Sequence, residues 1–184
     1  SPFTPGMLVI GARGTFFARS LDIEMKLNQE IFQIAARHKG ASICEMLTNC
    51  VIFNDGTHSA FAAREEKDER TIVLRDGEKM IFGKNRDKGL ILENGSLKVV
   101  KIGENGITQD DILTHHTDTE DYAVHSMLIN MKYPDYPVAL GVIRDVKDST
   151  YDEAVSAQVA EVKEKSPIRC MDDLLNSGST WTVE

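Results

Sequence analysis

Residues 15–47, TFFARSLDIEMKLNQEIFQIAARHKGASICEML, decide the fold of this chain because they place a helical pattern between two strand-like segments. Thr15–Arg19 contains two adjacent phenylalanines, and Ala41–Leu47 is short and largely apolar, so both segments favour strands. Between them, Asp22–His38 repeats apolar residues at the spacing of one helix face, namely Ile23, Leu27, Ile31, Ile34 and Ala35. Strand, helix and strand with short connections predict a βαβ unit, which belongs to a parallel sheet.

The segment that follows this unit is where the sequence predicts chemistry. Ligands of parallel sheets collect at the carboxyl ends of the strands. Leu47 ends the second predicted strand, and Thr48-Asn49-Cys50-Val51-Ile52-Phe53-Asn54-Asp55-Gly56 comes directly after it. Cys50 is the reactive side chain of this segment, although a free cysteine is also a common small apolar residue in protein interiors.

Two further segments carry the signals of β-hairpins. Asp76-Gly77 separates Thr71–Leu74 from Lys79–Phe82, and Asn94-Gly95 separates Leu90–Glu93 from Leu97–Ile102. Asp-Gly and Asn-Gly supply the positive φ angles of tight hairpin turns. We therefore expect an α/β domain over residues 1–56, and an extension over residues 57–184 with hairpins at about 71–82 and 90–102.

The last third of the chain is predicted to be helical with one strand. The predicted elements are a short helix that begins at 108–111, helices at 118–132, 151–165 and 171–175, and a strand at 137–146. Within the helix at 151–165, we expect four small apolar side chains to face inward: Ala154, Val155, Val159 and Val162.

Composition and charge exclude several classes of protein. The 184 residues are 41% hydrophobic, which is enough for a core, and carry a net charge of −8 with both signs interspersed. No basic patch suited to nucleic acid is present. The longest uncharged apolar run, Met7–Ala12, is far shorter than the roughly 20 residues of a membrane span. The three cysteines are too few and too irregularly spaced for a disulfide framework. Since disulfide frameworks belong to secreted proteins, we expect a cytoplasmic protein.

Other catalytic signatures are weak or absent in the sequence. Gly11-Ala12-Arg13-Gly14 lacks the glycine pattern of a dinucleotide or phosphate loop, and no Gly-Asp-Gly followed by Asn marks a thiamine-diphosphate site. A cluster of potential metal ligands lies at His115, His116, Asp118, Glu120, Asp121 and His125. This cluster suggests a metal-dependent hydrolase as one alternative, and an ordinary solvated helix as the simpler one.

An ordered set of motifs nevertheless resembles one enzyme family. Thr48–Gly56 is similar to the Cys-x-x-Phe-Asn motif of the β subunit of 2-oxoacid:ferredoxin oxidoreductases, above all the 2-oxoglutarate-type enzymes. Pro2–Pro5 and Phe16–Arg19 resemble the Pro-Phe-Asn-Pro and Phe-Val-Ala-Arg pair of that family, with Thr4 in place of its Asn. Tyr136–Arg144 and Ser177–Val183 also match, as does the His38-Lys39-Gly40 tripeptide. The resemblance covers most of this chain but only about the carboxyl-terminal half of such a subunit.

The resemblance implies a fold, a reaction and a set of partners. It implies the carboxyl-terminal part of a thiamine-diphosphate-binding parallel-sheet domain, followed by a hairpin and helix extension. The whole enzyme would oxidatively decarboxylate a 2-oxoacid, transfer the acyl group to coenzyme A, and pass electrons through a [4Fe–4S] cluster to ferredoxin. The partners implied are the α subunit, ferredoxin, coenzyme A and the 2-oxoacid.

The same resemblance implies which residues take part. Cys50 matches the fourth cluster cysteine position for position, with Asn49, Val51 and nearby backbone N–H groups as tuners of its sulfur. The motif for thiamine diphosphate and Mg²⁺, the substrate contacts and the other three cluster cysteines belong to the amino-terminal half of the family's subunit. We therefore expect no catalytic residue in this chain and no cluster or cofactor bound to it alone. The alternative is a non-enzymatic module whose hairpins and acidic helices dock onto a partner subunit.

Overall fold

A computed structural model describes residues 3–181 of the chain. The motif residues Pro2, Thr182 and Val183 lie outside the described part. The helices are α1 Pro5–Gly11, α2 Met25–Arg37, α3 Ser59–Ala62, α4 Lys67–Arg70, α5 Ala123–Asn130, α6 Tyr151–Lys165 and α7 Met171–Leu175. The strands are β1 Phe16–Leu21, β2 Ser42–Leu47, β3 Thr71–Leu74, β4 Ile81–Phe82, β5 Lys88–Glu93, β6 Ser96–Lys101 and β7 Val138–Asp145.

The βαβ unit forms as the sequence predicts. Strands β1 and β2 pair in parallel, with Phe16 opposite Ser42 and Leu21 opposite Leu47, and α2 connects them. These strands belong to a four-stranded sheet with the order β2-β1-β7-β3. A separate antiparallel sheet has the order β4-β5-β6. The predicted α/β class, with a sheet that contains parallel pairs and a separate hairpin sheet, is confirmed.

Strand β7 runs antiparallel to β1 but parallel to β3. The carboxyl ends of β1 and β2 therefore lie at one edge of the sheet, which we call the Cys50 edge because that residue follows β2. The carboxyl ends of β3 and β7 point toward the opposite edge, beside the amino end of β1, where Phe16 pairs with Asp145.

The central strands alternate their side chains between two hydrophobic clusters, one on each face of the sheet. Phe16 and Ala18 of β1 join Leu27 and Ile31 of α2 on one face. Phe17 of β1 lies on the other face, with residues of α1, α5 and the antiparallel sheet. Both phenylalanines are fully buried. A strand buried on both faces has no polar alternation, which explains why residues 16–18 are apolar on either side of the backbone.

The predicted first hairpin is wrong. Strand β3 pairs with β7 in the main sheet, and β4 pairs with β5. The Asp76-Gly77 turn forms, but its backbone bonds to the segment after β6 instead of returning to β3. The Gly77 N–H donates to the His115 carbonyl, and the Asp76 carboxylate accepts from the Thr117 N–H and hydroxyl. The second hairpin, β5–β6, forms around Asn94 and Gly95, both at positive φ.

The chain also divides differently from the predicted boundary at residue 56. One compact unit extends to Asp148, and a second begins at Ser149. Strands from both sides of residue 56 share one sheet, because β3 and β7 join β1 and β2. In the second unit α6 begins and ends as predicted, but its four small apolar residues are exposed instead of facing inward.

Two other predicted helices differ from the structure. No helix forms at 108–111, where the Asp111 carboxylate accepts hydrogen bonds from the Thr108 N–H and hydroxyl. The helix predicted at 118–132 is shorter, because a turn precedes it and Asp121 accepts from the Ala123 N–H at the start of α5. Within residues 3–181, no helix is long and apolar enough to cross a bilayer.

Candidate functional site

Cys50 lies in a structured loop that follows β2 at the Cys50 edge of the sheet. The backbone of the loop closes on itself, since the Asn54 N–H donates to the Cys50 carbonyl at 2.9 Å and the two residues form an isolated β-bridge. This tight turn brings three consecutive backbone N–H groups, those of residues 52–54, toward the Cys50 sulfur. The side chain is half-buried.

Those N–H groups change the acidity of the thiol. Hydrogen bonds from the backbone N–H groups of Phe53, Ile52 and Asn54 lower the pKa of Cys50 and outweigh the effect of desolvation, which raises it. A lower pKa increases the fraction of thiolate, which is the form that binds metals. Cys44, in β2, has the opposite environment, since burial raises the pKa of its thiol. The loop is therefore suited to a metal–thiolate bond in a way that β2 is not.

Asn49 fixes the loop from its base. Its side-chain amide donates to Asp55 at 2.9 Å, and its carbonyl oxygen accepts from the Gly56 N–H at 2.8 Å. Its backbone N–H donates to Asp22 at 3.3 Å. Sequence reasoning expected Asn49 to tune the sulfur, whereas its side chain holds the two ends of the 50–56 loop together. Gly56 has a φ of +73°, which this closure requires.

The tip of the loop exposes three consecutive apolar side chains. Val51, Ile52 and Phe53 are 74%, 82% and 90% exposed. Exposed apolar patches on an otherwise folded surface mark interaction sites. In this chain the patch directly adjoins Cys50, so whatever covers the patch also comes close to the sulfur.

A largely apolar cleft lies beside the loop at the same edge of the sheet. It is lined by Arg19, Glu45, His58, Phe61 and Tyr133, among other residues, and encloses about 560 Å³. Arg19 pairs with Glu45 at 2.6 Å and also donates to the Ile129 carbonyl. The arginine of the Phe16–Arg19 motif is thus a buried, paired residue that forms one wall of this cleft.

The histidine cluster predicted from the sequence is split by the structure. His115 and His125 are both 1% exposed, and each donates from Nε2 to a backbone carbonyl, of Val142 and His116 respectively. His116 instead lies on the surface with Asp76 and Asp118, where one ligand atom of each falls within 4.8 Å of the others. The predicted cluster therefore does not come together as one ligand set, because His115 and His125 are buried apart from the surface group of His116 and Asp118.

The chain is similar to a subunit of a known oxidoreductase. The chain is 34% identical over its whole length to the 2-oxoglutarate oxidoreductase subunit KorB of Mycobacterium tuberculosis. No protein-family model matches the chain, and no solved structure matches it. The chain spans about half the length of this curated relative (49%). From end to end, therefore, the chain is similar to the carboxyl-terminal half of a KorB-type oxidoreductase subunit, which confirms the resemblance carried by the motifs.

Proposed function

We propose that this chain is part of the β subunit of a 2-oxoacid:ferredoxin oxidoreductase, in which Cys50 supplies one thiolate to a [4Fe–4S] cluster. The observation that carries the proposal is the loop around Cys50, where the backbone N–H groups of residues 52–54 converge on the sulfur. Hydrogen bonds to cysteine sulfur stabilise the thiolate and raise the reduction potential of an iron–sulfur cluster. When bound, the cluster supplies one-electron transfer.

The chain can supply one of the four cysteine ligands of such a cluster, but not all four. A [4Fe–4S] cluster is held by four cysteine thiolates. Within residues 3–181, Cys44 of β2 is partly buried against the hydrophobic cluster on one face of the sheet. The one remaining cysteine of these residues, Cys170, belongs to the second compact unit. The other ligands would therefore come from protein outside this sequence. The same holds for thiamine diphosphate and Mg²⁺, since no residues here form their binding motif, and this chain alone is proposed to be inactive.

The substrate assignment rests on the relative and on the motifs. KorB of M. tuberculosis is named for 2-oxoglutarate, which supports 2-oxoglutarate or a related 2-oxoacid as the substrate of the complete enzyme. The motifs around Cys50 support ferredoxin as electron acceptor, coenzyme A as acyl acceptor and an α subunit as partner. The exposed Val51-Ile52-Phe53 patch supports assembly, because protein that completes the cluster would also cover these side chains.

The patch favours a second candidate function as well. If the loop served only for docking, Val51, Ile52 and Phe53 would bind a partner subunit and Cys50 would have no metal. The two functions differ in what a cysteine substitution does, so one experiment separates them.

The test is Cys50→Ser in the full-length subunit, expressed with its α partner. We expect the substitution to lower iron content and 2-oxoglutarate-dependent viologen reduction by about tenfold or more, since a hydroxyl replaces the thiolate at the metal. Electron paramagnetic resonance of the reduced protein should show the loss or alteration of the cluster signal. Cys170→Ser, at an exposed cysteine, is the matched control and should change neither quantity.

Each outcome decides between the candidates. Unchanged iron, signal and rate in Cys50→Ser would contradict the cluster assignment and favour docking alone. Loss of binding to the α partner in Phe53→Ser, with iron retained, would show that the patch docks independently of the metal.

A further inference from the structure

A cavity of about 350 Å³ lies at the sheet edge opposite Cys50, between the amino end of β1 and the carboxyl end of β7. Three cationic side chains line it: Arg13, Arg144 and Lys147. Glu120 and Asp148 are the carboxylates of its lining. A positive cavity is unusual on a chain whose net charge is −8. Its volume lies within the range of small-molecule sites.

Arg144 is the buried cation of this cavity. It is 8% exposed, and its Nε donates to the Gly14 carbonyl at 3.1 Å. Its Nη1 donates to the Thr119 carbonyl at 3.1 Å and to His125 Nδ1 at 3.2 Å. All three acceptors are uncharged groups, and within residues 3–181 no carboxylate lies at ion-pair distance from Arg144. A buried guanidinium without an opposite charge is costly, and an anion in the cavity would remove that cost.

The remaining donors of Arg144 are oriented by these bonds. In the described part of the chain, no hydrogen bond uses Nη2, whose two N–H groups therefore remain for a ligand. The three bonds to Nε and Nη1 hold the guanidinium plane fixed. A fixed guanidinium binds phosphate or carboxylate oxygens with little loss of side-chain entropy.

Arg13 and Lys147 add flexible positive charge at the rim. Both are exposed, and neither has a carboxylate at ion-pair distance among residues 3–181. One fixed and two mobile cations suit a doubly charged oxyanion with several oxygens better than a single carboxylate. Glu120 and Asp148 disfavour a long polyanion, which would have to pass close to them.

We propose that this cavity binds a phosphate group, either as inorganic phosphate or as the phosphate of a small monoester. The phosphate oxygens accept from Arg144 Nη2, while Arg13 and Lys147 close over them. The site is independent of Cys50, so neither proposal depends on the other.

The experiment measures the binding of inorganic phosphate and of glycerol 3-phosphate to the chain by calorimetry, at constant ionic strength in chloride. The double variant Arg13→Ser/Lys147→Ser removes the two rim cations without touching the core. We expect saturable binding by the unchanged chain and an affinity loss of about tenfold or more in the variant, since one charge-assisted hydrogen bond contributes roughly that factor. Tighter binding of glycerol 3-phosphate than of phosphate would identify a monoester as the ligand, and the reverse would identify inorganic phosphate.

A charge-matched control separates a site from general attraction. Arg86→Ser/Lys84→Ser removes the same charge from a loop outside the cavity, and Arg86 shares the positive φ of Arg13 (52° and 58°). This control should bind phosphate like the unchanged chain. Absent saturable binding, an equal loss in the control, or succinate binding as tight as phosphate would each overturn the proposal.

A second variant tests the role of the buried cation. Arg144→Gln should abolish phosphate binding while circular dichroism shows a folded chain. If Arg144→Gln is unfolded, the rim variant and its control still decide the outcome. Full binding by folded Arg144→Gln would contradict the site.

Discussion

Gly141 shows how tightly the main sheet is built at the level of one residue. It lies within β7, opposite Leu74 of β3 and Arg19 of β1, with a φ of +102°. An added Cβ would come within 2.3 Å of the Leu74 carbonyl oxygen, which is backbone and cannot move aside. The glycine therefore allows three strands to meet where β7 changes from one neighbour to the other.

Gly141→Ala should lower the free energy of unfolding by roughly 3 kcal/mol or more, because strain at positive φ adds to a backbone clash. Urea denaturation followed by circular dichroism measures the change. Gly103→Ala is the control, since Gly103 also has positive φ (89°) but open space around its Cα. It should cost only about 1 kcal/mol. Equal costs at the two positions would show that the close approach to Leu74 is unimportant.

At the level of elements, the stability of α6 depends on the capping of its amino end. Its residues are exposed throughout, so packing contributes little to its stability. Its amino end has a capping box, in which the Thr150 hydroxyl accepts from the Glu153 N–H and the Glu153 side chain accepts from the Thr150 N–H. Isolated helices of about 15 residues are marginal in water. The cap is therefore a large part of what favours the helix.

Thr150→Ala should destabilise α6 by about 1 kcal/mol, because it leaves the Glu153 N–H without its acceptor. Amide hydrogen exchange resolved along the chain measures this, with faster exchange expected in the first two turns of α6. Thr150→Ser retains a capping hydroxyl and should exchange like the unchanged chain. Fast exchange already present before substitution would mean that α6 is not a stable helix.

The sequence predicts individual helices and strands better than it predicts which strands pair. Local signals predict the βαβ unit and α6, because helical spacing and capping residues act over a few neighbouring positions. The partner of a strand is a long-range choice. Asp76-Gly77 encodes a turn, but nothing near it specifies that β3 pairs with β7, more than 60 residues later.

The candidate sites divide in the same way. The place of Cys50 after β2 follows from local order in the sequence. The cavity at Arg144 draws on residues 13, 144 and 147, which only the sheet brings together. One sequence feature that points to this cavity is Arg144 itself, a charged residue at the end of the otherwise apolar strand in the Tyr136–Arg144 motif.

At the level of the whole molecule, two buried histidines link stability to pH. Desolvation lowers the pKa of His115, and the positive charge of His125 would lower it further. Desolvation and then the Arg144 charge lower the pKa of His125, opposing the bond to the His116 carbonyl. A proton on His115 Nδ1 would have no acceptor, since that buried atom has none in the described structure. The folded state therefore favours the neutral form of both rings.

The unfolded chain consequently binds more protons than the folded chain once the pH falls below the ordinary histidine pKa of about 6.5. Stability should be fully present above that pH. It should fall as the pH decreases from about 7 to 5, by at most about 1.4 kcal/mol per pH unit for each histidine. Urea midpoints at several pH values measure the slope. His115→Gln should reduce it, whereas His58→Gln, at a surface loop, should leave it unchanged.

Because β7 runs antiparallel to β1, the two candidate sites lie too far apart to be energetically coupled. Cys50 and the Arg144 cavity lie at opposite ends of β1, a six-residue strand of about 20 Å. Substitutions separated by more than about 10 Å without shared partners usually combine additively. A double-mutant cycle that combines substitutions of Cys50 and Arg13 should therefore show a coupling energy near zero in the free energy of unfolding. Selection could thus alter either end of this sheet without disturbing the other.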